Sequence, residues 1–320
     1  MILLDWNGTH STAPGIVLLF GSGLIGGAIA STLKQAAPGA ASLRLNWSWP
    51  QPSNTEAQAV EDAARAAMAV REGADLTVIW AAGRSGFGSD PVDMAKEFTA
   101  LERVIQTTLC VGAALAPQRR AFIHISSAGG LFEGRVACGA GAVPAPLRSY
   151  GHGKLAQEQR VRRDESLGRR LILRPSSVYG YTRGARRGLV PALVAAAMQQ
   201  SEATIFGSLT TLRDYIYAPD IGRFVAARLL LPAQHKPAVS TEICLLASAR
   251  PASVFEIIRL VERYLGGALR LRVNPHPENA CDNTFLPSAL PEGFRPTGLQ
   301  EGVAMTVGAV TRERFLGVTL

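Results

Sequence analysis

Strand-length apolar runs alternate with longer amphipathic stretches over most of the chain. Ile16 to Phe20 is wholly apolar, ends in the glycine turn "GSGLIG", and passes into a helical pattern reaching about Ala36. "SLRLNWSW" reads as a second strand, and "DLTVIWAAG" and "RAFIHISSAGG" as further apolar strands. Between them, Ser53-x-x-Glu56 marks a capped helix, Pro91 to Leu115 a long one, and "RSYGHGKLAQEQRV" a charged one. Runs apolar on both faces, alternating with helices, predict a parallel sheet covered on both sides. The expected fold is therefore α/β, a Rossmann-type doubly wound sheet. The opening stretch "MILLDWNGTHSTAPG" reads as a short tail before the first strand.

After Gly180 the pattern loosens into short strands, Gly and Pro, and one apolar helix, "GLVPALVAAAMQQ". "RDYIYAPDIGRFVAARLLL" reads as a return to the main sheet, and "SVFEIIRLVERYLGG" as an amphipathic helix. The expected division is a dinucleotide-binding domain over 1–180 and 214–247, with a smaller, discontinuous C-terminal substrate-binding domain over 181–213 and 248–320.

Composition narrows the function classes. Apolar residues make up 47% and charged residues 18% of 320, which describes a globular chain. No apolar run is long enough to span a membrane, and the start lacks a signal-peptide pattern, so a cytoplasmic location is expected. Four cysteines without CxxC spacing and five histidines without HxxxH spacing give no metal site and no disulfide framework. The net charge of +8 is spread along the chain without a basic tract, which argues against nucleic acid while favouring anionic small molecules.

Gly21, Gly23 and Gly26 have G-x-G-x-x-G spacing directly after a strand and at the start of a helix. There they allow a tight turn and bring backbone amides to a pyrophosphate. The second strand lacks the Asp or Glu that holds adenosine ribose hydroxyls, and Arg44 lies close by. NADP(H) is therefore favoured, with NAD(H) bound through Asn46 or Ser48 as the alternative. Six Tyr and four Lys make a chance Tyr-x-x-x-Lys uncommon, yet Tyr150 and Lys154 have that spacing and so share a helix face. A phenol titrating near 10 works at neutral pH only if its phenolate is stabilised, and an ammonium one turn away does that. A strand-end serine would orient a carbonyl or alcohol. The glycines beside Tyr150 would let cofactor and substrate approach the helix.

These motifs resemble the short-chain dehydrogenase/reductase superfamily, in particular its extended branch of sugar-nucleotide epimerases, dehydratases and reductases. "GSGLIGG", "DLTVIWAAG", "HISSAGG", "YGHGK", "LRPSSVYG" and "RDYIYAPDI" follow the family's order over nearly the whole chain. The resemblance implies Tyr150 as acid–base residue, Lys154 as its support and ribose ligand, and Ser127 as third member, with Ser126 the fallback and a substrate contact. It implies a cofactor lined by Gly21, Ser22, Gly23, Leu24, Ile25, Gly26, Ala81, Ala82 and Gly83, with Pro175 and Ser177 near the nicotinamide. Arg213 would contact a substrate diphosphate, and Arg183, with Arg186 and Arg187, stands where substrate enters this fold. The branch also implies a homodimer through the helices around Pro91–Leu115 and Tyr150–Arg163.

Three departures qualify the resemblance. Phe20 replaces the first glycine of the family's Gly-x-x-Gly-x-x-Gly form. No third strand with an adenine-contacting Asp is recognisable between Trp49 and Asp75. Ala128 and Gly129 stand where 4,6-dehydratases carry an Asp-Glu pair, which disfavours water elimination. The expected activity is NAD(P)-dependent reduction or epimerisation of a sugar nucleotide, as in surface-polysaccharide synthesis. The alternatives are a reductase of small non-nucleotide ketones or aldehydes, and a non-catalytic dinucleotide sensor. Of the remaining residues, His124 is expected to be buried and hydrogen-bonded, His152 at the surface, and Trp47, Trp49 and Trp80 in packing roles, with Trp47 open to an adenine.

Overall fold

A computed structural model describes residues 1–8, 14–37, 39–230, 239–276 and 279–315. Its main sheet has seven strands. In spatial order they are β11 (Thr241–Leu246), β6 (Arg169–Pro175), β5 (Arg120–Ile125), β4 (Asp75–Trp80), β2 (Gly15–Phe20), β1 (Ile2–Trp6) and β3 (Ala41–Arg44). From β2 to β11 every pairing is parallel, as the doubly apolar runs require. One face carries Val17, Leu19, Ile123 and Leu173 against α1 (Leu24–Ala36) and α7 (Ala218–Leu229). The other carries Leu18, Val78, Phe122 and Ile172 against α2 (Asn54–Val70), α3 (Pro91–Gly112) and α5 (Ser149–Arg163).

The opening stretch departs from expectation. Ile2–Trp6 is a strand, buried at four of its five positions, and it pairs antiparallel with both β2 and β3. Residues 9–13 of that stretch lie outside the described residues. "SLRLNWSW" forms only the short strand Ala41–Arg44, at the sheet edge rather than beside β2. Between Trp49 and Asp75 the chain forms α2 with its Ser53–Glu56 capping box and no strand.

The "RDYIYAPDI" stretch also falls differently. β10 (Tyr215–Tyr217) pairs with β7 (Ser177–Tyr179) outside the main sheet, while α7 packs along α1. The strand that rejoins the main sheet is β11, further on. A second core gathers Val190, Leu193, Ile205, Ile257, Val303 and Val310 from α6 (Leu189–Met198), β8 (Ala203–Phe206), α8 (Val254–Leu265) and α9 (Leu299–Phe315). Among the described residues no helix is long and apolar enough to cross a membrane.

Candidate active site

Gly21 has φ +99°, and a Cβ there would run into the Ala81 backbone. Only glycine lets the β2 turn lie against the end of β4. Gly23 caps α1 with no side-chain bond, and no acid stands in the first turn, so the amides at that helix end suit an anion. They open on a cleft of about 550 Å³ lined by Gly21, Ser22, Gly23, Trp47, Trp49, Ala81, Ala82, Gly83, Arg84 and Arg186, among others. A dinucleotide fits these residues. Gly26 is buried under Gly21; Leu24 and Ile25 are not among the cleft's lining residues, the Leu24 carbonyl accepting from the Thr182 hydroxyl at 3.3 Å and Ile25 packing on the core.

Arg44 and Asn46 are exposed and do not line this cleft, because β1 stands between their strand and β2. The cations that do line it are Arg84, stacked 4.8 Å over the Trp49 ring, and Arg186. Trp47 lies edge-on to Phe20, 4.7 Å between centroids, and also faces the cleft.

A second cleft of about 580 Å³ adjoins the first through Arg186 and is lined by Phe87, Ser177, Tyr179, Phe206, Arg213 and Asn279, among others. Arg213 stands 5.4 Å over Phe87 and donates to the Asn279 carbonyl at 3.0 Å. Its neighbour Asp214 instead takes hydrogen bonds from Ser176 and Ser248. Arg183 is not among this cleft's lining residues: its long side chain runs out to Glu313, at 3.4 Å. Pro175 is buried at the end of β6, two residues before Ser177.

Tyr150 lies on the first turn of α5, its ring 5.7 Å from Phe87 and packed on Gly130 of the short helix α4 (Ala128–Leu131). Ser127 caps α4, accepts from the Gly130 amide at 3.2 Å and remains partly exposed. Ser126, the fallback residue, is 4% exposed. The glycines of "YGHGK" serve a purpose other than the expected one. A Cβ on Gly151 would collide with the Gly130 carbonyl oxygen, and one on Gly153 with the Met94 side chain. They let α5 press against α4 and α3, and so seat Tyr150 on the short helix that Ser127 caps.

A profile of the NAD dependent epimerase/dehydratase family matches residues 16–240. The chain belongs to that family. Over 143 residues it is 28% identical to the dTDP-4-dehydro-6-deoxy-D-allose reductase of Streptomyces bikiniensis, a match covering 42% of this chain and 41% of that relative. The chain thus spans less than half the length of the curated relative it matches. Among solved structures, MoeE5 in complex with UDP-glucose and NAD superposes with a TM-score of 0.72 at 21% identity, covering 93% of this chain and 99% of that one. The UDP-glucose 4-epimerase of Thermus thermophilus in complex with NAD gives 0.64 at 20%, covering 92% and 98%. At such identities the likeness is one of fold.

Beneath Tyr150, this epimerase/dehydratase-family chain buries a polar cluster that sequence reading missed. Lys154 Nζ donates to Glu97 Oε1 at 2.7 Å and to Gln157 Oε1 at 3.3 Å. Burial alone would raise the Glu97 pKa; the Lys154 charge and hydrogen bond, with the Ser85 amide and Gln157, hold it down at about 2. His124 is buried, but neither ring nitrogen has a hydrogen-bond partner among the described residues, contrary to expectation. Burial, reinforced by Lys154, lowers its pKa to about 3, so the ring stays neutral. The signal for Glu97 was present: an acid at a position that, three after Met94 and four before Leu101, falls on the buried stripe of α3. His152 is exposed and Trp80 fully buried.

Proposed function

We propose that the chain is an NAD(P)-dependent oxidoreductase or epimerase acting on a sugar nucleotide. The observation that carries this reading is the packing of Tyr150 on Gly130, whose amide donates to Ser127, with the Tyr150 ring also against Phe87 of the cleft that presents Arg213. In that reading the dinucleotide, when bound along Gly21–Gly23, supplies hydride transfer at its nicotinamide. Tyr150 gives its proton to the substrate oxygen in reduction and takes one in oxidation, Lys154 favours the phenolate, and Ser127 orients the oxygen by hydrogen bonding. Arg213 grips a diphosphate, for which a planar guanidinium suits better than a point charge. The dTDP-sugar reductase, the UDP-glucose bound to MoeE5 and the UDP-glucose 4-epimerase agree with this substrate class. A homodimer through the α3 and α5 faces, in the cytoplasm, completes the reading.

Arg213→Lys tests it. The KM for a nucleotide sugar should rise by roughly tenfold or more, since a charged hydrogen bond is worth about 1.5–3 kcal/mol. Melting temperature and NADPH affinity should hardly move. Protection of the parent protein by UDP or dTDP in thermal unfolding separates this reading from a small-ketone reductase. An unchanged KM in the variant would remove its main support.

The solved relatives' complexes hold NAD, and the cofactor class is NAD(P). Within that class the reading favours NADP(H), now on different residues. Among the described residues the dinucleotide cleft is lined by two arginines and no acid, and Arg84, held over Trp49, takes the role that the sequence gave to Arg44. Calorimetric titration should show NADPH bound more tightly than NADH. Arg84→Ala should weaken NADPH by about tenfold (about 1.4 kcal/mol) and NADH far less. A clear NAD preference in the parent protein overturns this part of the reading.

A further inference from the structure

The side chain of Glu97 is 0% exposed and that of Lys154 5%. Each oxygen of this carboxylate takes two donors. Oε1 receives Lys154 Nζ at 2.7 Å and Gln157 Nε2 at 3.1 Å. Oε2 receives the backbone N–H groups of Arg84 at 3.0 Å and Ser85 at 2.9 Å. Arg84 and the residues just before it line the dinucleotide cleft. One side chain therefore joins the catalytic lysine to the turn beneath the cofactor. An ammonium has three N–H donors; Glu97 and Gln157 occupy two of Lys154's, and one remains for the site.

The other charged and titratable groups around Lys154 are few. From α5 come Tyr150, its ring centroid 5.9 Å from Nζ, and Glu158. Glu158 is already held by both arms of Arg174 of β6, at 2.9 and 2.7 Å. From β5 comes His124, buried and neutral, and α4 brings no ionisable side chain. Glu97 of α3 is the carboxylate that directly compensates the ammonium. A buried ammonium without such a partner sheds its proton instead of remaining charged.

We propose that Glu97 is a positioning residue for the catalytic pair: it keeps Lys154 charged in a dry interior and fixed to the cofactor turn, so that the tyrosine, not the lysine, is the member that gives up a proton. The inference rests on the acid–base role given to Tyr150 above. It agrees with the balance at Lys154, where burial opposes the charged form and Glu97, with Tyr150 and Glu158, more than offsets it.

The chain has only four lysines, so ¹³Cε-lysine NMR reads the proposal without any substrate. Replacing Lys34, Lys96 and Lys236 by Arg leaves Lys154 as the single signal. Its midpoint should lie above about pH 10.4, where an ordinary lysine is half-deprotonated. In Glu97→Gln the midpoint should fall by about two units or more, while Glu97→Asp, which keeps the charge, should restore most of the shift. Equal midpoints in the parent protein and Glu97→Gln would overturn the proposal. Should the Gln variant fail to fold, a parent midpoint at or below the ordinary one does so as well. Retained turnover in Tyr150→Phe would instead refute the acid–base reading while leaving this titration where it stands.

Discussion

Tyr150→Phe is expected to lower turnover by about a thousandfold or more while NADPH affinity changes by less than about tenfold. The phenol ring is needed for shape: it packs on Gly130 and against Phe87, and Phe keeps both contacts. Only the hydroxyl is lost, and with it the group that moves a proton to or from the substrate oxygen. Steady-state turnover on a nucleotide sugar, paired with calorimetry of NADPH, separates the two effects. Most of the activity surviving would remove Tyr150 from its role and leave the cluster below it as a structural feature.

Gly151→Ala should cost stability where helix propensity predicts a gain. Alanine at a helical position is favoured over glycine by about 1 kcal/mol. Here the added methyl would overlap the Gly130 carbonyl oxygen and press on Pro146 Cβ, neither of which is the free end of a flexible side chain. Overpacking of this kind costs about 1–3 kcal/mol, and rigid backbone puts it at the upper end. The expected net loss is about 2 kcal/mol, seen as a melting temperature lowered by about 5 °C. Turnover should fall too, because the α4–α5 contact sets the distance from Ser127 to Tyr150. Gly153→Ala is the control: its methyl meets Met94, an unbranched side chain that can yield, so its loss should be smaller. Equal melting temperatures for Gly151→Ala and the parent protein would show that α5 is not seated as described.

Much of this was legible because it depends on periodicity and spacing. The parallel strands announced themselves as continuous apolar runs, the Ser53–Glu56 cap as a local motif, and Tyr150 with Lys154 as neighbours one helical turn apart. What stayed hidden depends on which segments meet. No local signal in "MILLDW" says that it inserts between β2 and β3, yet that insertion moves Arg44 and Asn46 out of the dinucleotide cleft. Nothing local marks Arg84, because the Trp49 ring it stacks on belongs to a distant stretch of the chain. Glu97 was visible as an acid among apolar positions, but its partner lies 57 residues away and on another helix. Likewise the glycines beside Tyr150 could be seen to weaken a helix, but only the approach of α4 and α3 explains them.

The antiparallel β1 also bears on how the chain reaches its fold. Parallel pairings join distant segments: β2 meets β4 with Gly15 opposite Asp75, and β6 meets β11 with Arg170 opposite Thr241. Each requires a long loop to be closed before any contact forms, which makes such sheets slow to assemble. β1 and β2 instead form a hairpin, with Trp6 opposite Gly15 and Ile2 opposite Leu19, closed within the first twenty residues. Its loop-closure entropy is small, and hairpins form in about 1–10 μs. β2 thus has one edge already paired when β4 arrives, so the rest of the sheet grows from a template instead of having to nucleate one.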